Sequence, residues 1–458
     1  MAIRETRERE VKLRAGEDFT LPELGGEAIE SRVFVSTYHD TLDHRLGRRG
    51  VTLRHRVENG KGLWQLKLPA GNARLELEQG GAAAAPPADL LALLVGHLRG
   101  ARLKPIARLR TRREGVRADG AEIVHDTVSV LDHQRVTRSF DELEVELLDG
   151  DEKTLRRIER ALRRAGAADG ESRPKVFQAL DLDFHADAAE PQEEASSAAT
   201  LRSRVREQAA LVLAHDPGTR LGTDIEQLHQ MRVATRRLRA FLRAGHNLLD
   251  PEWSGQFRDE LSWLGGVLGP VRDLDVLLGR LSSEVQLLGE DAPAGRKLLS
   301  RLKREHRTAR RRLLAALDSD RYLALLEALE GPVITIADEP SLEEIHAAEH
   351  RRLRKAVRAL GPQPPDNELH AVRIEVKRAR YAAELADRQA YVKAAKSLQD
   401  VLGEHQDAVV ASEKLRALVA RLPDTALAAG RLLEREQARA LESRDEWKAA
   451  WKRLAKTA

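Results

Sequence analysis

The feature of this 458-residue chain that most limits its fold is an internal repeat of basic, histidine-headed segments. The first copy reads His229-Gln-Met-Arg232-Val-Ala-Thr-Arg236-Arg237-Leu-Arg239-Ala-Phe-Leu-Arg243. At roughly 100° per residue, His229, Arg232, Arg236, Arg239 and Arg243 fall within an arc of about 80° on one side of a helix. Met231, Val233, Leu238 and Leu242 fall on the other side. The second copy, His370-Ala-Val-Arg373-Ile-Glu-Val-Lys377-Arg378-Ala-Arg380, sets His370, Arg373, Lys377 and Arg380 opposite His229, Arg232, Arg236 and Arg239. A further matched pair follows, Leu268-Gly269-Pro-Val-Arg-Asp273 answering to Leu402-Gly403-Glu-His-Gln-Asp407. Matched segments in the same order predict a duplicated helical unit packed about a pseudo-twofold axis, with its two basic faces together. Two such faces call for an anion between them.

The pattern is helical almost throughout from Thr200. Breaks are expected at Asp216-Pro217-Gly218, Asp250-Pro251, Gly269-Pro270, Asp291-Ala-Pro293, Gly331-Pro332, 361–365 and Leu422-Pro423. These residues resemble the CHAD family, all-helical domains named for their histidines and known for binding inorganic polyphosphate. The resemblance implies polyphosphate binding by His229, Arg232, Arg236, Arg239, Arg243, His370, Arg373, Lys377 and Arg380. Glu384 stands where the repeat puts the counterpart of Arg243, so the basic surface is expected to weaken at that end.

Residues 1–190 hold 32 basic and 33 acidic side chains, and residues 191–458 hold 45 and 40, so the basicity must be sorted in space to bind a polyanion. Cysteine is absent, which excludes disulfides and thiolate zinc sites and is compatible with a reducing cytosol. No apolar leader and no apolar run of membrane-spanning length occurs, so a cytoplasmic protein is expected, with association with polyphosphate granules as an extension of that reading. Aromatic residues make up 3% of the chain, too few to supply stacking platforms for single-stranded nucleic acid, which disfavours nucleic acid as a partner.

The first third alternates with a period of two. Glu8, Glu10 and Lys12 share one face of a first strand. Arg54 and Arg56, Lys67, Glu76 and Glu78, Arg110 and Arg112, Asp126, and Glu142, Glu144 and Glu146 repeat that habit in later stretches. Short strands charged on one face and apolar on the other predict a closed barrel with its polar face inward. An interior holding both signs of charge suits an ion together with its ligand.

The run Glu8-x-Glu10-x-Lys12, followed in order by Arg54 and Arg56, Lys67, Arg110 and Arg112, Asp126, Glu144 and Glu146 and then Ser-Arg-Pro-Lys175, resembles the CYTH domains, or triphosphate tunnel metalloenzymes. The resemblance implies Glu8, Glu10, Glu144 and Glu146 as ligands of Mg2+ or Mn2+. It implies Arg54, Arg56, Lys67, Arg110, Arg112 and Lys175 as phosphate-binding residues. Lys12 and Asp126 are then the catalytic candidates, Lys12 orienting water or the leaving phosphate and Asp126 aligning water or an ion. The implied reaction is attack of water on a terminal phosphoryl group, aided by positioning and charge neutralisation. Inorganic triphosphate is the first-choice substrate because no Trp or Phe cluster marks a base or thiazolium pocket. The alternatives are thiamine triphosphate, ATP in an adenylyl cyclase, or a non-enzymatic polyphosphate-binding protein.

The expected fold is therefore α+β: an antiparallel β tunnel or barrel with helices in residues 1–185, a linker over 186–199, and an all-α domain over 200–458. The all-α domain is expected to be two pseudo-twofold-related helical bundles.

Overall fold

The computed structural model describes residues 3–16, 19–22, 24–71, 73–171, 173–182 and 196–457. Contacts divide the chain into two compact units, residues 1–191 and 192–458. Most of the expected linker, 186–195, lies outside the described residues; Ser196 already caps the first helix of the second unit.

Ten strands form one antiparallel sheet in the first unit: β1 (Arg4–Glu8), β2 (Glu10–Ala15), β3 (Glu27–Asp40), β4 (Thr52–Glu58), β5 (Lys61–Ala70), β6 (Ala73–Gly80), β7 (Lys104–Ala118), β8 (Ala121–Asp132), β9 (Arg135–Leu147) and β10 (Ala167–Asp169). The order across the sheet is β1-β6-β5-β4-β3-β7-β8-β9-β2-β10. β1 and β2 are separated in the chain by Arg9 alone, yet β1 pairs with β6 at one end of that order and β2 with β9 near the other. One continuous run of chain thus closes the sheet into a tunnel. Closure follows from the alternation of Thr6, Glu8, Glu10 and Lys12, which carries the same inward face across both halves.

Four short helices accompany the sheet: α1 (Ala88–Leu93), α2 (Val95–Leu98), α3 (Glu152–Arg164) and α4 (Lys175–Leu180). α3 begins where Asp151 accepts the Thr154 backbone N–H, and its buried Leu155, Ile158 and Leu162 pack on the outward faces of Leu13, Ile123, Leu143 and Val145. α4 brings Val176 and Phe177 against Tyr38, Leu109 and Val128, an apolar plug.

The second unit is helical: α5 (Ser197–Leu221), α6 (Ile225–Ala244), α7 (Pro251–Gln286), α8 (Ala292–Leu317), α9 (Asp320–Glu330), α10 (Leu342–Arg358), α11 (Asp366–Leu385), α12 (Gln389–Val419) and α13 (Ala426–Ala455). The repeat is visible in the elements, since α6 and α11 are each 20 residues long and are followed by the two longest helices among the described residues, α7 and α12. One core centres on α5 to α9, with Tyr381, Ala382 and Leu385 of α11. A second lies within α10 to α13. A third joins α7 and α8 to α12 and α13.

Breaks fall as expected at Pro251, Pro293, Pro332, 361–365 and Pro423, but not at the other two positions. α5 runs through Pro217 and α7 through Pro270. A proline inside a helix removes one backbone hydrogen bond. Burial of its flanks outweighs that loss here: Leu268 and Val271 lie in the largest core, and buried Asp216 accepts from Arg220 one turn later.

Candidate functional site

The tunnel interior is polar along its length, with nine cationic and seven acidic side chains among its lining residues. Of the residues singled out by sequence, Glu8, Glu10, Lys12, Arg54, Arg56, Lys67, Glu144, Glu146 and Lys175 all line it. Arg110 and Arg112 do not. In β7 the pairing Phe34↔Thr111 and Arg113↔Asp126 turns Leu109, Thr111 and Arg113 inward, and Arg112 stands 64% exposed beside Glu114 on the outer wall. The inward residue is Arg113, its neighbour in sequence, which the reading by alternating arginines passed over. The buried Leu109 held the clue, because an apolar plug fixes which alternate residues point in.

Asp126 is fully buried and receives two hydrogen bonds from Arg113, at 2.8 and 2.7 Å, and one from Lys175 at 2.6 Å. Burial pushes its pKa up, but Lys175 and Arg113 outweigh burial and hold the group below the ordinary aspartate range. Both Asp126 oxygens are thus engaged by Arg113 and Lys175. Lys175 also reaches Glu142 at 3.0 Å and Glu144 at 2.9 Å, and Arg113 reaches Glu144 at 2.8 Å. Glu144 is consequently held well below the usual carboxylate range: the pull of Lys175, Lys12 and Arg113 exceeds the effect of burial.

Lys12 donates to Glu142 at 3.0 Å and lies 3.5 Å from Glu144. Burial disfavours its charge, but Glu142, Glu144 and Glu10 raise its pKa, so it is an ammonium at neutral pH and not a proton acceptor. Lys67 donates to Glu8 at 2.6 Å. Arg54 donates to Gln65 and to the Tyr38 hydroxyl, and Arg56 lies over the Phe34 ring and pairs with Glu58. Amide and hydroxyl partners leave Arg54 its charge to offer a phosphate, whereas Arg56 shares its guanidinium with the Glu58 carboxylate.

Glu8 and Glu146 are different. Burial, and then a hydrogen bond shared with the Glu76 carboxyl, pushes Glu8 up to about 7; burial, and then Glu8 itself, pushes Glu146 up to about 7. Carboxyls crowded in this way, with one Glu76 oxygen buried and unbonded, suit a hard divalent cation bound by oxygen alone. No three acidic or histidine side chains among the described residues converge as a ready-made centre, because Lys12, Lys67 and Lys175 hold several of the oxygens. A cation bound by Glu8, Glu10, Glu144 and Glu146 would compete with those ammonium groups for Glu8 and Glu144.

In the helical unit the two stripes do meet. Arg232 and Arg236 of α6 act on Arg373 and Lys377 of α11, and each of these residues lowers the pKa of Arg373 or Lys377 by repulsion, after burial. Gly269 lies beside Arg232 as Gly403 lies beside Arg373, so the second matched pair is also equivalent in space. Asp273 accepts from Arg232 at 3.2 Å, and Asp407 acts on Arg373 more strongly than Asp273 does. Arg236, Arg239, Arg243, Lys377 and Arg378 line one concave pocket closed by Tyr381 and Glu349.

Arg380 stands apart from the expected surface. It is 7% exposed, donates to Gln399 at 3.0 Å and pairs with Glu384. Glu384, the departure from the repeat, therefore neutralises Arg380 and also forms an ion pair with Arg237 at 3.2 Å. Arg378 takes the place at the pocket that spacing alone gave to Arg380. His370 Nδ1 bonds Gln406 at 2.7 Å, and His229 Nδ1 is buried without a partner.

Residues 203–416 match the CHAD domain and residues 6–175 the CYTH domain. An uncharacterised protein of Mycobacterium tuberculosis, found in two strains, is 33% identical over 463 residues, covering 92% of this chain and 90% of that protein. Among solved structures, PptA from Streptomyces chartreusis is similar at 27% identity with a TM-score of 0.49, over 56% of this chain and 100% of that one. The CHAD domain from the plant Ricinus communis is similar at 26% identity with a TM-score of 0.46, over 56% of this chain and 91% of that one. A Hippeastrum protein, named an adenylyl cyclase and described as having a dominant triphosphatase activity, is similar at 16% identity with a TM-score of 0.26, over 41% of this chain and 99% of that one. This chain belongs to the family of proteins that join a CYTH domain to a CHAD domain.

Proposed function

We propose that the tunnel hydrolyses inorganic triphosphate to diphosphate and phosphate with Mg2+ or Mn2+, and that the helical unit binds inorganic polyphosphate. The observation that carries the first half is the closed tunnel with opposed rows of acids and bases. A polyanion alone would be served by the bases, and the crowded Glu8 and Glu146 have no use in such a site. A divalent cation held by Glu8, Glu10, Glu144 and Glu146 would supply Lewis-acid polarisation of the phosphoryl oxygens and an acidified water.

The chain's own residues do the rest. Arg54 and Arg56 grip phosphate oxygens by N–H bonds, Arg113 adds its charge from its fork on Asp126, and Lys67 and Lys175 act as compact charges. Lys12, kept protonated by three glutamates, steadies the charge that gathers on the leaving phosphate. Asp126 positions Arg113 and Lys175. Arg110 and Arg112 have no part in this reading.

For the helical unit the support is two basic stripes that face each other without enough acid between them, an arrangement that an extended polyphosphate chain would relieve. CHAD and CYTH domains are both linked to such ligands. No helix among the described residues is long and apolar enough to cross a membrane. Cytoplasmic placement on polyphosphate granules accords with this reading.

The test is phosphate release from inorganic triphosphate with each metal, beside ATP and thiamine triphosphate, for the whole protein and its Glu146→Gln variant. Metal-dependent release lost in the variant supports the reading. Retained binding of long polyphosphate without release under any metal would leave a non-enzymatic binding protein.

A further inference from the structure

We infer that Lys377 is the proton-linked residue of the polyanion surface, so that a polyphosphate chain settling between the two basic helices brings a proton with it. This rests on the polyphosphate reading of that surface and adds a pH response to it. The starting observation is an asymmetry in the repeat: the position held by Arg236 in α6 is held by Lys377 in α11. Arg236 donates its Nε to the Tyr381 hydroxyl at 2.7 Å. Among the described residues no acceptor holds the Lys377 ammonium.

What faces Lys377 is mainly positive charge. Arg232 and Arg236 come from α6 and Arg373 from its own helix, and Asp407 of α12 is the acid that opposes them. Farther along the same pocket stand Arg239 and Arg243 of α6, Arg258 and Asp259 of α7, Glu349 of α10, and Arg378. Glu349 is already paired with Arg243 and Arg352. His229 and His370 lie at the far ends of the stripes, seven residues from Arg236 and Lys377 respectively.

A guanidinium does not give up its proton under these conditions, whereas an amine does. Lys377 is therefore the group on which the repulsion can be relieved. Burial first, then Arg373, Arg236 and Arg232, bring it down to about 7, against the opposing pull of Asp407. The contrast with the tunnel is internal: Lys12 and Lys175 are also buried, but each faces carboxylates and stays charged. A polyphosphate chain would do for Lys377 what those carboxylates do for Lys12. Binding then raises the pKa of Lys377. Below pH 7 the amine is already charged and no proton moves; above it, each binding event takes up a proton, and affinity falls by up to about tenfold per pH unit until the bound-state value is passed.

The experiment is calorimetric titration of the full chain with long-chain polyphosphate at pH 8 in the presence of a chelator, in two buffers of different ionisation enthalpy, for wild type and Lys377→Arg. The equivalent position already accommodates arginine, so the variant is expected to fold and bind. Wild type should take up about one proton more per site than the variant. Affinities should agree within about twofold at pH 6 and diverge in favour of the variant at pH 8.5. The difference between the two proteins removes the contribution of the chain's terminal phosphates and of His229 and His370. Equal proton uptake with intact binding would overturn the proposal and leave the polyphosphate reading standing. Absence of binding by either protein would overturn that reading. The pH profile of acylation at Lys377, followed by mass spectrometry beside the exposed Lys393 and Lys396, then decides the residue's state independently. Half-maximal reaction near pH 7 supports the inference, and a profile like the surface lysines overturns it.

Discussion

At the scale of single residues, Arg112 and Arg113 show how much one step along a strand decides. Arg113 is bonded to buried Asp126 and to Glu144, so Arg113→Ala leaves buried carboxylate charge with less compensation. Thermal or denaturant unfolding should show a loss of about 3 kcal/mol or more in the first unit, with triphosphate turnover lost as well. Arg112→Ala removes an exposed pair with Glu114 and should change stability by less than about 0.5 kcal/mol, with the KM for triphosphate unmoved. The tunnel acids carry a pH prediction. Glu8 and Glu146 titrate near 7 in the folded chain, above the ordinary value of 4.5, so the folded state binds more protons than the unfolded state between those limits. Stability should therefore fall as pH rises from about 4.5 to about 7 and then level off. A divalent cation must displace those protons below pH 7 and need not above it. Melting-temperature increments from MgCl2 or MnCl2 should accordingly be larger at pH 8 than at pH 5.5, and smaller at both in Glu146→Gln.

At the scale of elements, alternation identified the strands and their charged faces, but it left two choices of inward face for β7. Arg108, Arg110 and Arg112 make one row, and Leu109, Thr111 and Arg113 the other. Only pairing with β3 and β8, and the plug formed with Phe177, selected the second. The helices were legible for the opposite reason: a basic stripe and an apolar stripe on one segment leave a single way to face a core. Pro217 and Pro270 misled because local rules weigh a missing hydrogen bond, while the folded helix also weighs the burial around it. Close packing of elements gives a further prediction. A Cβ on Gly170 would lie 2.6 Å from the Leu13 nitrogen and the Lys12 carbonyl carbon, inside the strand that carries Lys12. Gly170→Ala should cost about 1–3 kcal/mol and reduce triphosphate turnover, as judged by denaturant titration and phosphate release. Gly430→Ala in α13, where nothing lies within 4 Å, should instead stabilise the helical unit by up to about 1 kcal/mol.

At the scale of the molecule, each apolar core of the described residues lies wholly within one of the two units. Separate fragments ending at 182 and beginning at 196 should both fold, checked by circular dichroism and by melting curves that sum to those of the whole chain. An unfolded first fragment would show that the tunnel depends on its neighbour. The sequence by itself determined the α+β class, the two-part plan, the duplicated helices and most of the tunnel's charged residues, because each of these is written as a period or a repeat along the chain. Tertiary structure alone decided that Arg113 rather than Arg110 or Arg112 faces the tunnel, that Asp126 is bound up by Arg113 and Lys175, and that Arg380 is neutralised by Glu384. It also decided that, among the described residues, no carboxylate is ion-paired with Lys377 and three arginines crowd it. Those facts depend on strand register, on an apolar plug and on which charges from distant segments meet across a buried space, and none of these is a local property of the chain.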